Sequence, residues 1–220
     1  MTAPAVVQSG INGGSGGNKP VTLGAAPTDG NMLVGFYYDD AGAAPPATIN
    51  GWTRSGKTAD NRGTVYTRIA SGLAALLPTM NNGDTGYTCE IVYEVSNADT
   101  VDSSAYANGA SVTSLSIGPA TTVNDTALGL LFCVGWFAAF GTTPTITAGG
   151  WTQDRSIAEG TAITATSGHQ SIATHGTSYS GTASFGSTSQ AHCAGSVLAV
   201  FKNAVAPTPA SGMLLQGVGS

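Results

Sequence analysis

Four landmarks occur twice in this chain, in the same order. In the first half they are Thr22-Leu23-Gly24, the run from Asp29 to Phe36, Gly51-Trp52-Thr53 and the run from Ile91 to Ala98. In the second half they are Ser116-Ile117-Gly118, the run from Asp125 to Phe132, Gly150-Trp151-Thr152 and the run from Val197 to Ala204. A chain that says the same thing twice must fold as two related sets of elements. The type of element follows from the period. Met32, Val34, Phe36 and Tyr38 fall on one side and Leu33, Gly35 and Tyr37 on the other; Leu128, Leu130, Phe132, Val134 and Trp136 share a side in the second half. Alternation with period two is the signature of a β-strand.

The same reading predicts strands over 64–70, 87–95, 161–166, 170–173, 179–185 and 194–201, separated by Gly, Ser and Thr. The Pro45-Pro46 loop cannot continue a central strand, because proline donates no ladder hydrogen bond. Asn81-Asn82-Gly83-Asp84 is turn chemistry. Gly72 to Pro78 has room for one short helical turn, and no segment sustains a helical period with caps. The expected class is all-β: an antiparallel β-sandwich of jelly-roll type built from two sequence-related halves. Its parts are a flexible N-terminal arm at 1–19, a sandwich at 20–204 with the repeat at 20–98 and 113–204, and an extended C-terminal tail at 205–220. Two small Ig-like sandwiches are the alternative; the segment 103–112 is not a clear linker, which favours one domain.

Composition narrows function by exclusion. Only 9% of the 220 residues are charged, against about 25% in ordinary domains. Residues 1–105 hold five basic and nine acidic side chains, and residues 106–220 two and three. Neither half offers a basic stripe, so nucleic-acid binding lacks its electrostatic term. No stretch approaches 18 apolar residues, so no membrane-spanning helix is expected. Three cysteines, Cys89, Cys133 and Cys193, cannot complete an intrachain disulfide framework. Each lies in an apolar run, as a buried free thiol would, which fits folding in a reducing cytoplasm. The N-terminus shows no positively charged and then apolar leader.

Residues with catalytic or ligand potential are sparse. Gly13-Gly14-Ser15-Gly16-Gly17 matches a nucleophile elbow only in letters, since no helix follows it. His169, His175 and His192 lack the spacing of a zinc site or an evident triad. Glu90 and Glu94 share one face of a strand, which suits structural pairing better than a glycosidase pair. Asp39-Asp40 end a strand and could meet calcium, but no Asp-x-Asp-x-Asp-Gly cassette is present. No catalytic residue, metal ligand or cofactor is therefore assigned. Trp52 and Trp151, repeated between glycine and threonine, read as structural aromatics that seal the sandwich; exposed, they would suit a sugar face. Trp136, Phe137 and Phe140, with Met213, Leu214 and Leu215 in the tail, are the candidate partner-contact patch.

The order of motifs resembles a module of tailed-bacteriophage structural proteins. A Gly-rich arm precedes Asp29 to Val34; a Pro-rich loop leads into Gly51 to Thr53; Val65 to Arg68 and Tyr93 to Asn97 follow; a second round closes on Val197 to Phe201. The resemblance spans roughly residues 5–204 and carries over no catalytic residue. It implies a non-enzymatic virion protein, made in the host cytoplasm and displayed on the particle. The expected role is a capsid decoration, cement or head-fibre protein. It would bind the major capsid protein or sister subunits as a homo-oligomer, for which a trimer suits a local threefold site. A tail-fibre or baseplate module that binds a receptor or host-surface glycan is the alternative.

Overall fold

The computed structural model describes residues 2–81, 83–124, 127–136, 142–159 and 162–201. Every regular element among them is a strand. Residues 5–96 supply β1 (Ala5–Ser15), β2 (Met32–Asp39), β3 (Thr48–Ile49), β4 (Trp52–Lys57), β5 (Gly63–Ile69) and β6 (Tyr87–Ser96). Residues 100–201 supply β7 (Thr100–Gly109), β8 (Ser114–Thr121), β9 (Ala127–Trp136), β10 (Thr145–Ile146), β11 (Thr152–Glu159), β12 (Ile163–Ile172), β13 (Ser178–Ser184) and β14 (His192–Phe201). The first sheet has the order β1-β6-β2-β5-β4-β3, the second β11-β12-β9-β14-β7, and a third, small sheet β10-β13-β8. All pairings between these strands are antiparallel.

The first two sheets face each other across one apolar core. Period two sends Met32, Val34, Phe36 and Tyr38 of β2 and Cys89, Ile91, Tyr93 and Val95 of β6 inward from one side. Leu128, Leu130, Phe132 and Val134 of β9, with Ala194, Leu198 and Val200 of β14, meet them from the other. At the centre Phe36 stacks on Phe132 with ring centroids 5.6 Å apart, and Tyr93 meets Phe132 edge-on at the same distance. Each fully buried ring is worth about 1.5–3 kcal/mol of apolar burial. The fold is an antiparallel β-sandwich.

The outer faces are covered as well, which is why the central strands read as nearly continuous apolar runs. Leu33, Tyr37, Trp52, Tyr66 and Val92 lie under Val21, Leu23, Ala70, Leu77 and Met80 from the loops. Those loops are tied to one another by the Thr22–Leu76 bridge and by Leu77 N–H donating to Val21 O at 2.9 Å. Leu131, Cys133, Val197 and Ala199 of the second sheet lie under Leu115, Ile117, Tyr179 and Phe185, from or beside β8 and β13. All three cysteines are buried thiols outside any disulfide.

Four expectations from sequence need correction. Residues 5–15 are not a loose arm but strand β1, in register with β6 from Ala5–Ser96 to Ser15–Tyr87. Its glycines serve close approach: a Cβ on Gly10 would lie 2.5 Å from Val21 Cγ1, and one on Gly13 3.1 Å from Cys89 Sγ. Residues 72–78 make no helical turn; they run across the sheet and bridge to Thr22. The strands expected at 161–166 and 170–173 are one strand, β12, whose pairing with β9 passes unbroken through Gly168 and His169. Jelly-roll connectivity is not what orders the main sheets. Each takes all its strands from one continuous half of the chain, β7 included, whereas a jelly roll weaves both halves through both sheets. The tail at 205–220 lies outside the described residues.

Candidate functional site

The interior carboxylates are loop fasteners. Glu90 and Glu94 point to the outer face of the first sheet and are 1% and 0% exposed. Glu94 accepts from Gln8 Nε2 (2.6 Å), Asn31 Nδ2 (2.6 Å) and Thr28 N–H (2.8 Å), so one carboxylate pins β1 and the 28–31 turn. Burial alone would raise its pKa, but these donors outweigh it and hold the carboxyl below its usual range. Glu90 accepts from Met80 N–H at 2.9 Å and from the Thr79 hydroxyl, fastening the 79–81 segment. Here burial prevails over those donors and pushes the carboxyl up to about 7. The two glutamates share a face, as their spacing implies, yet each serves a loop and not the other.

A second polar knot joins the sheets. Tyr93 Oη of β6 reaches Asp154 Oδ2 of β11 at 2.8 Å and Ser167 Oγ of β12 at 2.9 Å. The same Asp154 oxygen meets His169 Nδ1 at 2.7 Å. Arg155, the next residue, donates to Ser9 O (2.6 Å) and Ser9 Oγ (3.0 Å) on β1. Serine, histidine and aspartate are thus close, but Ser167 is fully buried and its hydroxyl bonds the phenol of Tyr93. A nucleophile needs its base within reach and an open path to substrate; this group is built as a tie. Its members are far apart in sequence, and only the shared register of β11 and β12 brings Asp154 beside His169.

The repeated tryptophans differ. Trp52 is fully buried, its Nε1 donating to Pro78 O at 2.8 Å. Trp151 is half-buried against the second sheet's outer core and donates to Ser180 O at 2.9 Å. Ser180 also lines a shallow groove of about 320 Å³ with Gln170, Ser171, Thr174, Thr177 and Ser178. Hydroxyl and amide groups thus gather beside the strand that accepts the Trp151 bond, and no sequence motif marks the groove.

Trp136 ends β9 half-buried, stacked on His192 (5.9 Å, 15°) and tilted against Tyr87 (6.0 Å). Phe137, Phe140, Met213, Leu214 and Leu215 lie outside the described residues. Trp136 pairs with His192, the first residue of β14, whereas Phe201 ends β14. Trp136 and Phe201 thus lie at opposite ends of one sheet, roughly 30 Å apart for ten residues of strand. Among the described residues the large exposed apolar side chains are Val7, Ile69, Leu76 and Val123. A third acidic group gathers Asp39, Asp40 and Asp84, with carboxylate oxygens within 4.8 Å of one another.

Compared with protein-family models, curated proteins and solved structures, the chain matches none.

Proposed function

We propose that the chain is a non-enzymatic structural protein of a bacteriophage particle, a head decoration or head-fibre protein that holds the major capsid protein or sister subunits. One observation carries the reading: the buried acids and the Tyr93 knot are spent on fastening loops and sheets, which makes a rigid body and leaves binding to its surface. Sparse charge supports it, since few ions must be desolvated when such a surface is covered. The test is co-sedimentation of the purified chain with heads that lack it. Saturable binding that falls on deletion of 205–220, or on Phe137→Ser with Phe140→Ser, is expected. Absence of binding overturns the reading.

We also infer that the two halves are copies of one unit. The orders β1-β6-β2-β5-β4 and β7-β14-β9-β12-β11 correspond strand for strand. Both carry a β-bulge at the same place, between Arg54 and Gly56 and between Gln153 and Arg155, after the shared Gly-Trp-Thr. Gly51 and Gly150 take matching φ values of 83° and 87°.

The groove beside Trp151 favours a second reading, a tail-fibre or baseplate module that binds a host-surface glycan. Convergent hydroxyls and amides are what the hydroxyls of a pyranose require. Glycan-array binding abolished by Trp151→Ala would move the assignment there.

A further inference from the structure

We propose that Asp39, Asp40 and Asp84 hold a divalent cation of the calcium class between the end of β2 and the turn that leads into β6. This goes beyond a role on a particle and stands without it. Calcium takes oxygen ligands at about 2.3–2.6 Å, so ligands facing each other across the ion are roughly 5 Å apart. The three carboxylates meet that spacing, all within 4.8 Å. Asp39 is 2% exposed. Its oxygens also accept from Ala41 N–H (2.8 Å) and Ala43 N–H (3.0 Å), and Asp40 Oδ1 accepts from Tyr87 N–H (2.9 Å), which orients both groups. The neighbouring cationic side chain bypasses them: Arg62 gives its Nε to the Asp40 carbonyl and pairs with Asp60. Among the described residues no ion pair reaches the three carboxylates.

An independent observation points to a ligand. Tyr37 is 4% exposed, and its hydroxyl is buried without a partner. It precedes Asp39 by two residues, hence shares its face of β2, and lies opposite Glu90 of β6. The acidic groups near its phenol are Asp39, Asp84 and Glu90. Asp84 Oδ2 is likewise buried with no donor of its own, the Asp84 carboxyl lying against that of Asp39, while Asp84 Oδ1 accepts from Gly86 N–H at 2.9 Å. Orphaned buried polar atoms cost about 1–3 kcal/mol each. A hydrated cation answers both: Asp84 Oδ2 becomes a ligand, and a water on the ion accepts the Tyr37 proton. Gly86 leaves the room, for a Cβ there would lie 2.5 Å from Asp40 Oδ1 and 3.3 Å from Asp84 Oδ1. A cleft lined by Asn18, Thr79, Asn81, Asp84 and Thr85 gives the ion and its waters a path.

The rival occupant is a proton shared by Asp39 and Asp84, and the two differ in the test. The full chain, stripped with chelator, is titrated with CaCl₂ by calorimetry at pH 7.5 and melted with and without calcium. One site with Kd on the order of 10⁻⁵–10⁻³ M is expected. At a hundredfold excess the Tm should rise roughly 5–10 °C. Asp84→Asn keeps the bond from Gly86 and should weaken binding at least tenfold. Asp40→Asn, at a half-exposed position, should do the same and serves if the first variant folds poorly. No calcium heat and no Tm shift up to about 10 mM, above the weakest protein sites, overturns the proposal. So does binding that both variants leave unchanged. Either result leaves the capsid reading standing.

Discussion

One phenol carries the central bonds of the knot between the sheets, and Tyr93→Phe removes them without altering shape. Tyr93 is fully buried, and its ring keeps its edge-on contact with Phe132 in the variant. A phenol has one proton. Given to the Asp154 carboxylate at 2.8 Å, it makes a charge-assisted bond, and the Ser167 hydroxyl at 2.9 Å donates in return. Hydrogen bonds to charged groups contribute about 1.5–3 kcal/mol, and stranding a buried hydroxyl adds to the loss. Asp154 is only partly buried and keeps His169, so water recovers a share. The expected cost is about 2–3 kcal/mol, or roughly 5–10 °C in Tm at this chain length. Urea melts followed by tryptophan fluorescence and by far-UV circular dichroism should coincide, because both sheets share one core. In a cycle with Ser167→Ala, the double variant should lose less than the sum of the singles, by about 0.5 kcal/mol or more. A Tyr93→Phe protein that melts within about 1 °C of the parent would refute the assignment of the knot as a structural tie.

Glycine positions separate crowding from freedom: Gly181→Ala puts a Cβ 1.9 Å from Leu131 Cδ1 and should cost about 1–3 kcal/mol, whereas Gly149→Ala meets nothing and should melt unchanged. Glu90, held up at about 7, adds stability that is complete below its unfolded pKa and fades as pH rises through 7. Tyr37 lies opposite it, Thr79 and Met80 donate to it, and Glu90→Gln should flatten the fall in Tm between pH 5 and 8. Glu94 works the other way: its lowered pKa gives stability that is lost as pH falls through the carboxylate range, and Glu94→Ala should cost about 3 kcal/mol or more by stranding three donors. Trp52→Ala should cost about 3–5 kcal/mol and Trp151→Ala clearly less, by thermal melt.

What the sequence makes legible is what packing dictates. The runs at 32–38, 87–95, 128–136 and 194–201 can be read because their strands are covered on both faces, so nearly every position must be apolar. β1 is hidden for the opposite reason. An edge strand is held by backbone hydrogen bonds, which any sequence can make, and Gly10 and Gly13 look like a linker until Val21, Cys89 and Ile163 crowd them. β7 is equally quiet: most of its side chains are half-buried, so no alternation emerges. Connectivity escapes altogether. Whether equivalent strands mix in one sheet or separate into two depends on which edges meet. Here β1 meets β11 through Arg155 and Ser9, while β7 meets β4 where Tyr106 fills the space over Gly56. Such contacts join residues with no pattern in common.

The site was less legible than the fold, and the tryptophans show why. Gly51-Trp52-Thr53 and Gly150-Trp151-Thr152 share letters, turn geometry and the bulge that follows, yet one indole is sealed and the other lies half open. The difference comes from what lies above each sheet. Irregular chain with a single bridge wraps Trp52 and brings Pro78 O to its nitrogen. Over the second sheet the cover is itself a sheet, and the strand that carries Ser180 ends in a groove and not a lid. A local motif sets the ring's position; the tertiary cover sets its exposure. The same holds for the acids. Asp39-Asp40 is visible as a pair, but Asp84 joins it only because β2 and β6 lie side by side, with Asp39 opposite Thr88. Exposure on such a scaffold is set where the cover of one sheet departs from that of the other, and a motif in sequence marks the scaffold before it marks the site.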